Sequence, residues 1–222
     1  MSRNKRVQPI AVAAIPGRIV DTNSKLSSEL IELVKQEGYL AIARYVPLPH
    51  NAPDSDLDAK ELAAILAAGL SVLIVQHVRE PGWNPAQHCG ETDARTAIEF
   101  AQAAGYAPGS HVFLDLEGIS GTGPDTRTFA ESWAATISAA GYRAGCYVGY
   151  NVPLNAEELY ALHTINSYWS DPGNRAVATR GFALKQHESI RIGGVPFDPD
   201  TVQVDMLGQT PLWTAPITAD VA

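Results

Sequence analysis

The run His111-Val-Phe-Leu-Asp115-Leu-Glu117-Gly118 places two carboxylates two residues apart. On an extended strand, positions i and i+2 share a face, so Asp115 and Glu117 point the same way with Cα atoms about 6–7 Å apart. Leu114 and Leu116 take the other face. Like charges held that close push their pKa values apart, and one carboxyl can then keep its proton near neutrality. A protonated acid beside an ionised partner is what cleavage of a glycosidic bond requires. The same side chains could instead bind loop amides at a strand end, and the motif by itself leaves both roles open.

The elements that must position such a pair can be read from the apolar pattern. Short runs rich in apolar, β-branched and aromatic residues predict strands over 17–22, 40–46, 71–78, 111–118, 143–150, 167–170, 182–187 and 202–207. Near-continuous apolar stretches such as Ser71-Val-Leu-Ile-Val75 suit strands covered on both faces. Between them, Gly38, Gly69, Gly105 and Gly141 recur roughly every 31–36 residues, about one βα unit, each where a helix needs a left-handed residue to stop. Amphipathic helices precede these glycines: Leu26, Leu30, Leu33 and Val34; Leu62, Ile65 and Leu66; Ala94, Ile98 and Ala101; Phe129, Trp133 and Ile137. Asp58 with Glu61, and Asn155 with Glu158, have the spacing of capping boxes, and Asp125 is a candidate cap for the fourth helix. Eight strands alternating with helices read as an α/β fold, a closed (β/α)8 TIM-like barrel. Pro172, Gly173, Gly193, Gly194, Pro196 and Pro199 leave little room for helices in the last third. The expected layout is an arm over 1–16, one barrel over 17–208 and a tail over 209–222.

In such a barrel the working side chains gather at the C-terminal strand ends. Asp21 ends the first predicted strand and Asp205 lies in the eighth, its neighbour on closure, so Asp21, Asp115, Glu117 and Asp205 form the expected catalytic set. Tyr45, Gln76, His77, Tyr147, Tyr150, Trp169, Gln186 and His187 are the expected substrate contacts, the aromatic rings offering faces to the C–H side of a sugar. His77 and His187 beside the aspartates raise a metal-dependent hydrolase as an alternative. No HxH, HExxH or cysteine cluster accompanies them, so neither metal nor cofactor is expected. The chain also lacks the GxSxG elbow, the Walker loop and GxGxxG.

Composition narrows the remaining classes. The 222 residues are 45% hydrophobic and 18% charged, with a formal charge of −8. That is too apolar for disorder and too acidic for general nucleic-acid binding. No run of eighteen apolar residues predicts a membrane span. Cys89 and Cys146 are far apart and read as two buried free thiols. Arg3, Lys5 and Arg6 precede a short apolar stretch interrupted by Pro9, which reads as an arm rather than a secretory leader. Synthesis in the cytoplasm is then expected, with release by lysis or a specialised route, and a monomer that contacts glycan.

The segments Ala41-Ile-Ala-Arg-Tyr45, Lys60-Glu-Leu62, Ala68-Gly-Leu-Ser-Val72, Gly90-Glu-Thr-Asp-Ala94 and Pro108–Glu117 resemble, in order and spacing, a glycoside-hydrolase-like TIM-barrel family of unknown function. That family is similar in turn to the family 25 lysozymes. The likeness spans about residues 17–208, although Val20-Asp21-Thr22-Asn23 departs from the lysozymes' glycine-containing start. The resemblance implies a first-strand Asp, a fourth-strand DxE and an eighth-strand Asp around one groove, here Asp21, Asp115, Glu117 and Asp205. It implies Glu117 as general acid and Asp115 as the group that stabilises charge or orients an acetamido group. The implied substrate is an N-acetylated glycan such as peptidoglycan. A barrel that holds glycan without cleaving it is the alternative.

Overall fold

A computed structural model describes residues 9–173 and 176–216. Its strands are β1 (Ile10–Ala13), β2 (Gly17–Thr22), β3 (Ala41–Val46), β4 (Ser71–Gln76), β5 (His111–Leu116), β6 (Arg143–Val148), β7 (Ile165–Ser170), β8 (Leu184–Gln186), β9 (Ile190–Ile192), β10 (Val195–Val202) and β11 (Leu212–Ala215). The helices are α1 (Ser28–Gln36), α2 (Ala59–Ala67), α3 (Gly90–Ala104), α4 (Gly123–Ala139) and α5 (Ala156–Tyr160). Strands β2 to β8 pair in parallel with their neighbours in chain order. β10 closes the ring antiparallel to both β8 and β2. The result is the expected eight-stranded barrel, with one strand reversed.

Side-chain alternation divides the core into two. Leu73 and Val75 of β4 and Phe113 of β5 fill the barrel interior with Ile19, Trp169, Leu184 and Val202. Val72, Ile74, Val112, Leu114 and Leu116 face outward under the helices. Strands buried on both faces are therefore apolar at nearly every position, as the sequence pattern required. Asp58 accepts from the Glu61 amide, and Asn155 and Glu158 form a reciprocal capping box. Thr122, not Asp125, caps α4; Asp125 sits three residues on, where its own amide donates to the Thr122 hydroxyl. The four recurring glycines have φ of 82–88°, the left-handed turn that a Cβ disfavours. Cys146 is buried on β6, whereas Cys89 is exposed at the start of α3, so only one of the two free thiols is buried as expected.

The last third departs from regular βα alternation. α5 has only five residues, and no helix is described between β7 and β8 or between β8 and β10. β9 and β10 instead form a hairpin, with Val195 opposite Ile192. The eighth barrel strand runs over Val195–Val202, upstream of the predicted 202–207, because the chain turns back after β9 and descends the barrel wall.

The arm and tail close the N-terminal end of the barrel. β1 and β11 pair antiparallel from Ile10–Ala215 to Ala13–Leu212, and Thr214 of β11 pairs with Val72 at the start of β4. Thr214 Oγ1 also accepts from the Ala107 amide and meets Ser110 Oγ at 2.9 Å. Trp213, 4% exposed, joins the interior cluster. The predicted tail thus contributes a strand and a core aromatic. Trp213→Ala is expected to cost about 3–5 kcal/mol of unfolding free energy by chemical denaturation, since it removes a buried indole from a close-packed interior.

Candidate active site

Glu117 lies just past β5, where the loops after β4, β5 and β6 run side by side and extend the sheet above the barrel. The Gly82 amide donates to the Gly118 carbonyl (2.7 Å), Gly118 donates to the Tyr150 carbonyl (2.8 Å), and Ser120 donates to the Trp83 carbonyl (2.9 Å). The Trp83 indole N–H donates to the Glu117 carbonyl at 2.8 Å. Arg79 sits 5.5 Å over the Trp83 ring and is itself held by Asp93 at 2.6 and 2.9 Å. The Glu117 side chain lies on the bare backbone of Gly149, where an added Cβ would be 2.2 Å from Oε2 and 2.5 Å from the Glu117 Cβ. Partial burial raises the Glu117 pKa, and the charge of Asp171 raises it further.

Asp115 points into the barrel, as the two-residue period requires, and is 6% exposed. Its Oδ1 has no hydrogen-bond partner among the described residues. Burial lifts its pKa well above the ordinary carboxylate value, and the charges of Glu117 and Asp21 add to the shift. Asp21, 1% exposed, accepts from Gln186 Nε2 (3.0 Å) and from the Tyr45 hydroxyl (3.3 Å). Burial raises it to about 7, against the stabilising Gln186 bond. Tyr147 in turn donates to Gln186 Oε1 at 2.9 Å.

The third buried carboxyl is Asp200, a residue absent from the expected set. It is 1% exposed, its Oδ1 accepts from Trp169 Nε1 at 2.8 Å, and its carboxyl meets that of Asp21 within hydrogen-bonding reach. Burial raises its pKa, followed by the charge of Asp21. The sequence did carry a signal for it. Asp198-Pro-Asp200 repeats the two-residue carboxylate spacing of Asp115 and Glu117, and Val202 on the same face belongs to the interior cluster.

Asp205 is not part of this group. Because β10 runs antiparallel, Asp198 stands opposite Asp21 at the C-terminal end of the barrel while Val202 stands opposite Gly17 at the other end. Continuing to Asp205 leads further from the mouth. There Asp205 meets Arg180 at 2.7 Å and accepts from the Leu207 and Gln209 amides. Arg180 also donates to the carbonyl of Asn166, near the start of β7.

The expected contact residues divide by strand face. Tyr45, Tyr147 and Gln186 reach the acid group through the bonds above. His77 packs against Tyr45 with its ring tilted (centroids 4.7 Å apart) and pairs with Asp56 at 2.7 Å, so it borders the mouth. Tyr150, 43% exposed, lies on the rim beside Gly118. Trp169 is buried, edge-on to Tyr147 and Phe113, and floors the site rather than offering a face to solvent. Gln76 faces outward, where it binds the carbonyls of Pro47 and Asp93 and the Trp133 indole. His187 also faces away and bonds Thr201 at 2.8 Å. The two histidines therefore do not converge, and no group of three metal-ligating side chains is arranged for an ion among the described residues.

Two outcomes follow from this geometry. A carboxyl whose folded pKa is raised binds more protons when folded, so its contribution to stability falls as pH rises between its unfolded and folded values. For Asp21 that window is about pH 4–7. Asp21→Asn is expected to flatten the pH dependence of stability across that window and to raise the melting temperature at pH 8. Gly149→Ala is expected to displace the Glu117 carboxyl, visible in a crystal structure of the variant, while the barrel stays folded.

Comparison with known proteins places the chain in a family. A model of the Rv2525c-like, glycoside hydrolase-like domain matches residues 32–191. The Tat-secreted protein Rv2525c of Mycobacterium tuberculosis, solved with HEPES, has a TM-score of 0.64 at 16% identity, covering 87% of this chain and 98% of that one. The modular autolysin LytC of Streptococcus pneumoniae, solved with a synthetic peptidoglycan ligand, gives 0.61 at 13% identity, covering 85% of this chain and 47% of that one. A family 25 glycosyl hydrolase of Bacillus anthracis gives 0.57 at 11%, covering 90% and 94%. No curated protein matches. No helix among the described residues is long and apolar enough to cross a membrane. The structural neighbours share the barrel, and the family match covers most of the chain: it belongs to the Rv2525c-like family of glycoside hydrolase-like domains.

Proposed function

We propose that the barrel is a glycoside hydrolase acting on an N-acetylated glycan, with peptidoglycan as its substrate. The observation that carries this reading is the Asp115–Glu117 pair at the barrel mouth, both carboxyls raised by burial and Asp115 raised further by the charge of Glu117. A carboxyl that keeps its proton near neutrality can act as a general acid. Glu117 gives its proton to the glycosidic oxygen as the bond from that oxygen to the anomeric carbon breaks. The acetamido oxygen of the same sugar supplies electrons to the anomeric carbon, and Asp115 holds the acetamido N–H. Water then adds to that carbon as the acetamido oxygen leaves it with its electron pair, and the water gives a proton to Glu117. Tyr45, Tyr147 and Gln186 fix the neighbouring Asp21. The resemblance to the autolysin and to the family 25 hydrolase supports a cell-wall substrate. The secreted relative supports action outside the membrane.

Mass spectrometry of purified peptidoglycan after incubation with the protein should show new reducing ends. Glu117→Gln, which keeps shape and removes the proton donor, should reduce their release by about 10²–10⁴-fold without changing the melting temperature by more than a few degrees. Undiminished release by that variant would remove Glu117 from the acid role. Tight binding with no product from the wild type would make the barrel a binding module.

A further inference from the structure

The carboxyls are not the only polar groups aimed at the mouth. On β4, Leu73 and Val75 point into the barrel and Gln76 points out, so His77 points in. Its amide donates to the Val46 carbonyl at 3.0 Å, which extends the β3–β4 ladder by one residue and fixes that phase. One step past the Gln76–Leu114 pairing, His77 stands beside Asp115. The ring is held on two sides. Its face packs against Tyr45, the donor to Asp21, and its Nε2 meets Asp56 Oδ1 at 2.7 Å.

Asp56 comes from the loop between β3 and α2, and that loop is tied down from behind. The Leu57 amide donates to the Tyr45 carbonyl, Arg44 to the Ser55 carbonyl and Lys25 to the Asp56 carbonyl. The Asp56 side chain is 3% exposed, against 21% for His77. Asp56 Oδ2 has no partner among the described residues, so His77 alone holds this carboxyl. An ionised carboxylate only accepts, so Nε2 carries the proton, and in the neutral ring Nδ1 is then a bare acceptor. Nδ1 has no hydrogen-bond partner among the described residues. A brace between strand and loop uses Nε2 alone. A carboxylate that fixes the tautomer also aims the second nitrogen, and here the ring edge that carries it is the part left open at the mouth.

We propose that His77, oriented by Asp56, is a specificity residue of the mouth: its Nδ1 accepts a hydrogen bond from a ring hydroxyl of the sugar whose acetamido group is held by Asp115. The inference rests on the glycan reading above and adds to it which polar group of the substrate is recognised. An acceptor in this place favours a hydroxyl over an ether or a methyl group, because the analogue without the proton leaves Nδ1 unpaired once water is expelled. Asp56 is the positioning residue, since it acts on the ligand only through the imidazole.

The test uses the full chain with Glu117→Gln, which keeps the ligand whole, and a peptidoglycan tetrasaccharide of alternating N-acetylglucosamine and N-acetylmuramic acid. Nitrogen NMR of the histidine rings at pH 7.5 should show His77 protonated at Nε2 and bare at Nδ1, and the Nδ1 signal should move upfield when the tetrasaccharide binds. A proton on Nδ1 of the free protein, or an Nδ1 signal that ignores the bound saccharide, overturns the proposal and leaves the glycan reading standing. Two further substitutions separate recognition from bracing. His77→Asn puts an amide oxygen where Nδ1 was but falls short of Asp56, whereas His77→Gln reaches Asp56 and leaves the Nδ1 position empty. By calorimetry the Asn variant should bind within about threefold of the parent and the Gln variant about tenfold more weakly. The opposite order, or no loss in either, overturns the contact and makes the pair a brace. Where both variants weaken, the Nδ1 shift decides: present it upholds the contact, absent it overturns it. No binding of the tetrasaccharide to the parent overturns this inference and the glycan reading together.

Discussion

Everything at the mouth of this barrel follows from placing carboxyls where water is scarce. The closed strand ring leaves its C-terminal end lined by Asp21, Asp115 and Asp200, each at most 6% exposed, with Glu117 just above. Moving an ionised carboxylate into such surroundings is costly unless it is paired, so burial is the leading cause of the raised pKa at all four positions. The same cost is a reservoir of function. A folded barrel that holds protons on carboxyls is less stable above the window in which those protons leave, and it retains acids able to donate near neutrality.

The rest of the structure keeps that group in register. Trp169 connects the interior packing to chemistry, because its ring packs edge-on to Phe113 while its N–H holds Asp200. Outside the barrel, Arg79 and Asp93 steady Trp83, and Trp83 holds the backbone of Glu117. Arg44 and Glu61 form a buried ion pair behind β3, and Arg44 also donates to the Thr22 carbonyl, one residue past Asp21. At the opposite end, the β1–β11 ribbon and Trp213 cover the packed interior. Stability and site geometry thus rest on different ends of the same barrel, as is usual for this architecture.

Much of this was legible from the sequence because it depends on local periodicity. The two-residue repeat on β5 sends Leu114 and Leu116 outward and Asp115 inward, and the four recurring glycines mark the helix ends. Where the reading failed, the cause was non-local. Asp205 was expected at the mouth on the assumption of eight parallel strands, but reversal of β10 brings Asp198 and Asp200 there instead. Gln76 and His187 lie one residue out of phase with the inward face: Val75 and Gln186 point in, and their successors on those two strands point out. Strand ends show which residues are near the mouth; the face each presents depends on where pairing begins, and that is fixed by the partner strands.

Carboxyl carbon NMR of the ¹³C-labelled wild type, followed from pH 3 to 9, tests the central claim most directly. Burial predicts that Asp115, Glu117 and Asp200 lose their protons above the ordinary carboxylate range, and that Asp21 titrates at about 7. Four carboxyls titrating together near pH 4, as solvated side chains do, would contradict it.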